Sequence, residues 1–262
     1  MKEVLFRREG EDIKVRRRKI VPDESTPKGP FNHVLEDEDY VPAQTCHNRI
    51  VQALSRLGWG IRDFAEAVRP WVHKLQSLSQ RDETGQKVVS GRWYDLIPAN
   101  ALDVGGDIIP FDQEWAVQGD RYIPLEFLVF RGLYFSVARL TTCSRPRADV
   151  PYQTAAVCGA VMMELGLEFD AKHIAACWVI EGELQKQILG AAHGVSFEQV
   201  AEGELPIRFD YEQLMAHIGS LQEKQKQLKD EVQQAQSETL QYKEKARRLE
   251  HIVEKLHAGL TS

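Results

Sequence analysis

Residues Gly91 to Trp115 read GRWYDLIPANALDVGGDIIPFDQEW, two short apolar runs with a glycine pair between them. The runs are Asn100 to Val104 and Asp107 to Phe111, and Gly105-Gly106 is a turn dipeptide that accepts positive φ. A hairpin closed about residue 106 sets the Asn100 amide opposite the Asp112 carboxylate. Asp95 lies just upstream on the entering loop, and Pro98 stiffens the return. Two carboxylates and an amide at one end of a hairpin suit Mg²⁺ and phosphate. Hard cations take oxygen ligands, and Mg²⁺ usually takes one or two carboxylates while phosphates complete its shell.

Outward from this stretch, composition sets bounds. The chain has 262 residues, enough for one globular core plus an extension. It is 43% hydrophobic and 27% charged, which excludes global disorder. The formal net charge of −6 argues against a general nucleic-acid binder. No apolar run approaches the length of a membrane span, and MKEVLFRREGED lacks the apolar centre of a signal peptide. Cys46, Cys143, Cys158 and Cys177 are widely spaced, without a zinc pattern, and read as buried thiols of a reducing cytoplasm. A peripheral position at the inner membrane face is compatible with the same features.

Towards the N-terminus, Glu3 to Phe6 and Ile13 to Val15 flank a turn at Glu9 to Asp12, a β-hairpin. The basic run Lys14 to Lys19 is either a phosphate or lipid-headgroup patch, or the solvated face of an edge strand. Residues 21–30 read as a loop, and the acids Glu36 to Asp39 extend the polar stretch. Helical spacing begins near Thr45 with Ile50, Val51, Leu54 and Leu57. A second helical run holds Phe64, Val68, Trp71, Val72, Leu75 and Leu78, with Pro70 expected to kink or restart it. His73 on this run reads as a packed or surface histidine.

Beyond Trp115, Ile123 to Leu140 is apolar on nearly every side, the pattern of a buried central helix. Arg131 inside it needs a carboxylate. Glu114 or Asp112 would orient the site by supplying one, and a salt bridge unrelated to the site is the other reading. Further helices are expected over residues 152–165 and 171–189, with a return to the surface over 190–206. From Leu214 to Leu260 a heptad repeat holds Ile218, Gln225, Val232, Thr239, Ala246, Val253 and Leu260 at a. Leu214, Leu221, Leu228, Ala235, Tyr242, Leu249 and Leu256 fall at d. So narrow a seam wants a partner helix, dimeric or trimeric. The alternative is one long helix folded on its own domain.

The spacing of Asp95, Asn100 and Asp112 about a hairpin resembles the catalytic segment of the protein-kinase-like superfamily, especially its aminoglycoside- and small-molecule-kinase branch. More narrowly, DLIPAN and FDQEW look like the kinase-like module of bacterial polysaccharide (O-antigen) biosynthesis proteins. Those modules are fused to methyltransferases or glycosyltransferases and followed by a coiled coil. The resemblance implies Mg²⁺ and ATP as cofactors and a glycan or small-molecule hydroxyl as acceptor. It makes Asp95 the catalytic base, Asn100 and Asp112 the nucleotide-metal ligands, and Glu114 a ligand to a second metal or a partner of Arg131. Trp93 and Trp115 would stack on a sugar or anchor the core. Trp93-Tyr94 stands where the family has His-Arg, and Gln113-Glu114 where protein kinases have Phe-Gly.

The expected fold is α+β: kinase-like, with a reduced or missing N-terminal lobe, a mostly helical C-lobe and a long C-terminal coiled-coil helix. The expected divisions are 1–44, a hairpin and linker; 45–205, the C-lobe; and 211–260, the coiled coil. No Gly-rich loop precedes Asp95, and no strand Lys is followed by a helix with a partner Glu. Lys14 or Lys19 would have to stand in, or the lobe would be encoded elsewhere. Two functions follow: phosphoryl transfer in cell-surface polysaccharide assembly, or a non-catalytic kinase-like scaffold that oligomerises and recruits methyltransferase or glycosyltransferase partners.

Overall fold

The computed structural model describes residues 2–20, 29–119, 121–189, 196–208 and 211–260. Two compact units make up the chain, Met1–Arg208 and Phe209–Ser262.

The first unit is a mixed α+β body. Strands β1 (Lys2–Glu9) and β2 (Asp12–Lys19) form the expected hairpin, in register from Glu9↔Asp12 to Lys2↔Lys19. Three short strands follow in the stretch read as polar linker: β3 (Phe31–His33), β4 (Glu38–Asp39) and β5 (Gln44–Thr45). Each pairs with a distant segment or with the hairpin. β4 extends the hairpin through Lys14↔Asp39 and Val15↔Glu38. β3 pairs with β10 (Trp115–Val117). β5 pairs with β8 (Ala101–Val104), which turns into β9 (Asp107–Pro110). Residues 29–45 are thus laced to the chain around the Gly91–Trp115 stretch.

Helix α1 (Cys46–Leu54) starts where Thr45 caps it, its side chain accepting the Asn48 N–H at 3.3 Å. Helix α2 (Ile61–Ser77) runs on through Pro70 and does not restart there. Proline removes the hydrogen bond to the carbonyl four residues back. That carbonyl belongs to Glu66, which is exposed, while Phe64, Ala65, Val68, Trp71, Val72 and Leu75 bury the opposite face. Strands β6 (Ser79–Arg81) and β7 (Lys87–Ser90) form a second hairpin, and β11 (Tyr122–Pro124) completes its sheet.

Helix α3 (Leu125–Ala138) is the buried centre, with Leu125, Phe127, Leu128, Val129, Phe130, Leu133 and Val137 all in the core. Helices α4 (Thr154–Glu164), α5 (Ala171–Leu189) and α6 (Phe197–Glu202) surround it. Trp178 of α5 meets Phe127 and Phe130 edge-on, at 6.2 and 6.0 Å between centroids. Cys46, Cys143 and Cys158 are buried and Cys177 is half-buried, all four as free thiols.

The second unit is α7 (Tyr211–Leu260), one helix of 50 residues, about 75 Å long at the standard rise. No helix among the described residues is long and apolar enough to cross a membrane.

Candidate functional site

The β8–β9 turn uses both glycines, Gly105 at φ +63° and Gly106 at φ +99°, so Val104 faces Asp107. This moves the hairpin axis half a residue from the position expected from sequence. Asn100, at the end of a 3₁₀ turn (Pro98–Asn100), therefore lies opposite Phe111, whose N–H donates to its carbonyl at 3.1 Å. The Asn100 amide does not meet the Asp112 carboxylate. Its Nδ2 instead donates to two main-chain carbonyls, Asp95 at 3.1 Å and Asp112 at 3.4 Å. The Asn100 side chain is a tie between the two acidic segments.

Three successive carbonyls of the entering loop are each held by a side chain. Arg131 Nη1 donates to Tyr94 O at 3.0 Å, Asn100 to Asp95 O, and Trp71 Nε1 to Leu96 O at 3.0 Å. Trp71 itself is wedged against α3. A Cβ added at Gly132 would stand 2.5 Å from its indole ring. The loop is thereby pinned to α2, α3 and the hairpin together.

This pinning buries Asp95. Its Oδ2 accepts the Glu114 N–H at 3.2 Å. Burial, reinforced by the charges of Asp112 and Glu181, pushes its carboxyl up from 3.8 to about 7, although Arg131 pulls the other way. A buried carboxyl that holds its proton near neutrality is chemically suited to trade one with a bound hydroxyl.

Asp112 adopts φ +53°, the left-handed region that non-glycine residues rarely enter, with Asn and Asp the most tolerant. Its carbonyl accepts Asn100, and its N–H donates to Glu38 Oε1 at 3.0 Å. Its carboxylate is held by cations of the N-terminal hairpin: Lys2 Nζ lies 2.7 Å away and Arg17 Nε 2.9 Å away. Lys2 also pairs with Glu114, and Arg17 with Glu38 at 3.0 Å. The cations on these acids are thus Lys2 and Arg17, whereas Lys14 pairs with Asp39.

Arg131 does not turn to Glu114 or Asp112. Its Nε donates to Glu181 of α5 at 2.6 Å, and Tyr94 Oη donates to the same carboxylate oxygen at 2.8 Å. Its guanidinium lies 4.2 Å over the Tyr94 ring. Burial alone would raise the Glu181 pKa. The Arg131 charge and the hydrogen bonds from Arg131, Tyr94 and Gln185 outweigh it and hold the carboxyl below the usual range. Trp115 stacks on His33 at 4.6 Å, and Arg92 lies 5.0 Å over Trp93. Both indoles are partly buried against the core.

The structure therefore brings Asp95, Asn100, Asp112 and Glu114 to one place, yet not as a ready metal centre. Among the described residues, no group of three or more His, Cys, Asp or Glu side chains is arranged to hold a metal ion. Asp112 and Glu114 already share a lysine, while Asn100 gives its Nδ2 to the main chain and keeps only its Oδ1. As folded, these residues do not fit Mg²⁺.

Lys2, Arg17, Glu38, Tyr94 and Glu181 were not expected at the site. Strand alternation could have found Arg17 and Lys2, because both fall on the hairpin face that buries Val15. No local pattern announces Glu181, which lies 50 residues from Arg131. No family model matches the chain, and neither a curated protein nor a solved structure is significantly similar to it.

Proposed function

We propose that this chain is a kinase-like scaffold of cell-surface polysaccharide assembly. It self-associates through its C-terminal helix and recruits methyltransferase or glycosyltransferase partners. The observation that carries this reading is the exposure of the helix seam. Ile218, Leu221, Leu228 and Val232 are 37%, 51%, 61% and 56% exposed at a and d positions of α7. Full burial of such a side chain from full exposure is worth about 1.5–3 kcal/mol, and a second copy of the helix would recover roughly half of that at each of these positions. β-branched residues at a with leucine at d favour two parallel strands. The side chains of Leu214, Leu249, Val253, Leu256 and Leu260 lie outside the described residues.

The kinase-like part rests on order. A helix, a loop with Asp95 and Asn100, a hairpin, Asp112 and then a buried helix follow one another as the resemblance implies. Sedimentation of the full chain at micromolar concentration tests the assembly. An oligomer is expected, and Leu228→Asp should dissociate it by placing a carboxylate in the seam. Removing residues 211–262 should leave a folded monomer. A wild-type monomer at these concentrations would overturn the reading.

A second reading, phosphoryl transfer to a glycan or small-molecule hydroxyl, is favoured by one observation: the buried Asp95 carboxyl, poised near neutrality as a proton acceptor. With Mg²⁺ and ATP as cofactors, it requires Asp112 and Glu114 to be released from Lys2. Transfer of labelled phosphate to a glycan acceptor, lost in Asp95→Asn, would replace the scaffold reading.

A further inference from the structure

Strand β1 is the edge of its sheet. The strand order is β1-β2-β4, so β2 covers one side of β1 and no described strand covers the other. Glu9 and Asp12 face each other across a two-residue turn. A facing pair next to so short a turn exchanges both main-chain hydrogen bonds, and bonded pairs then alternate along the ladder. Glu3, Leu5, Arg7 and Glu9 therefore turn their N–H and C=O groups to β2, whereas those of Val4, Phe6 and Arg8 point outward.

Proteins guard such an edge with proline, a bulge, lysine or brevity. β1 has eight residues, an unbroken register and no proline. Its one lysine, Lys2, stands at the end and is turned onto Asp112 and Glu114. The middle is Val4-Leu5-Phe6, all three exposed, Phe6 at 66%. Apolar side chains astride an open ladder are a template for another strand.

The charges along β1 select that strand. An antiparallel second copy brings outward groups to outward groups only when the pairing is centred on a residue, not between two. Centred on Leu5, Leu5 faces Leu5, Val4 faces Phe6 and Glu3 faces Arg7 of the second copy. The apolar centre closes on itself and opposite charges flank it on both sides. Lys2 falls opposite Arg8, but Asp112 and Glu114 already take up its charge. Centred on Val4, the copies would set Lys2 against Phe6 and Glu3 against Leu5. Centred on Phe6, they would set Glu3 against Glu9 and Leu5 against Arg7. A parallel copy in register would stack Arg7 on Arg7 and Arg8 on Arg8.

We propose that β1 pairs with β1 of a second copy of this chain, antiparallel and centred on Leu5. The surface is separate from the C-terminal helix. One strand edge buries too little to hold two chains together at micromolar concentration. It closes between copies that the helix has already assembled, and to that extent it rests on the self-association reading.

The test is disulfide cross-linking of the full chain under mild oxidation with diamide, read on a non-reducing gel. Residues that face each other outside the bonded pairs stand about 4.5 Å apart between Cα atoms, within reach of a disulfide. Leu5→Cys should therefore cross-link at least about tenfold faster than Leu57→Cys, because docking concentrates its thiol. Leu57, 84% exposed and outside the hairpin, measures collision and the proximity that the helix gives. The wild-type thiols, buried or half-buried, set the background. Glu3→Cys, which faces Arg7 and not itself, should stay at the Leu57→Cys rate. Val4→Pro removes an outward N–H, and in the Leu5→Cys chain it should lower the rate to that of Leu57→Cys. An oligomeric chain in which Leu5→Cys is no faster than Leu57→Cys overturns the edge pairing and leaves the helix seam standing. Glu3→Cys as fast as Leu5→Cys also overturns it. A chain that sediments as a monomer overturns self-association through the helix, and the same comparison at about millimolar protein then decides the edge.

Discussion

Arg131 and Glu181 meet at 2.6 Å in the core, joining α3 to α5 directly behind the loop that carries Asp95. Arg131 also donates to the Tyr94 carbonyl, and Tyr94 returns its hydroxyl to Glu181. The pair is therefore a bracket for the loop. Its worth lies in completeness: desolvating two ions is costly, and only the added hydrogen bonds make the arrangement tolerable.

Breaking the bracket on one side should be severe. Glu181→Gln leaves a fully buried guanidinium without its anion and should cost about 3–5 kcal/mol in urea unfolding. Replacing both partners, Arg131→Met with Glu181→Leu, should recover much of that loss. If the double variant is no more stable than Glu181→Gln alone, the cost lies in packing and not in charge.

Asp95 should make stability depend on pH. Its folded pKa, about 7, lies above its unfolded value of 3.8, so the folded chain holds a proton that the unfolded chain has released between those limits. The stability contribution is fully present below pH 3.8, declines as pH rises, and is lost once pH passes 7. Asp95→Asn removes the ionisation while keeping an acceptor for the Glu114 N–H. The variant's stability relative to wild type should therefore increase from pH 4 to pH 8, by up to about 4 kcal/mol. Parallel denaturation curves at these pH values decide it. A constant difference would mean that Asp95 is not the titrating group.

Gly132→Ala tests how tightly the loop is clamped. Alanine is the better helix former by about 1 kcal/mol. Here, however, its Cβ would press on Trp71 Cη2 and Cζ2 at 2.5 Å and on Pro98 Cδ at 3.1 Å. Trp71 is fully buried and tied to the Leu96 carbonyl, so it has little room to yield. A net loss of about 1–3 kcal/mol is expected. A stabilised variant would show that the indole moves aside freely.

Much of the helical frame was legible because burial writes itself at helical spacing. Ile50 and Leu54 mark α1, Phe64 to Leu75 mark α2, and the uniformly apolar α3 announces the centre. The hairpin at Gly105-Gly106 was legible from its turn chemistry, but not its register, since either glycine can stand at the axis. The β6–β7 hairpin went unread. Its turn is built by Asp82, whose carboxylate accepts the N–H groups of Thr84 and Gln86. Helix α6 also went unread, although Ser196 and Gln199 form a capping box. At the site, the acids were visible as a pattern within one stretch. Their cations were not, because Lys2 and Arg17 reach them across the fold, and ion pairing between distant segments leaves no periodicity.

The buried sulfurs carry a consequence of a different kind. Burial raises the thiol pKa of Cys46 to about 12, and those of Cys143, Cys158 and Cys177 above their ordinary value. The thiolate is the reactive form, so a native chain offers little of it to an alkylating reagent. A fully buried sulfur becomes reactive when its own element opens: Cys46 with the start of α1, Cys158 with α4. The chain thus carries built-in stopwatches, and the order in which they run reads out which part of the fold lets go first.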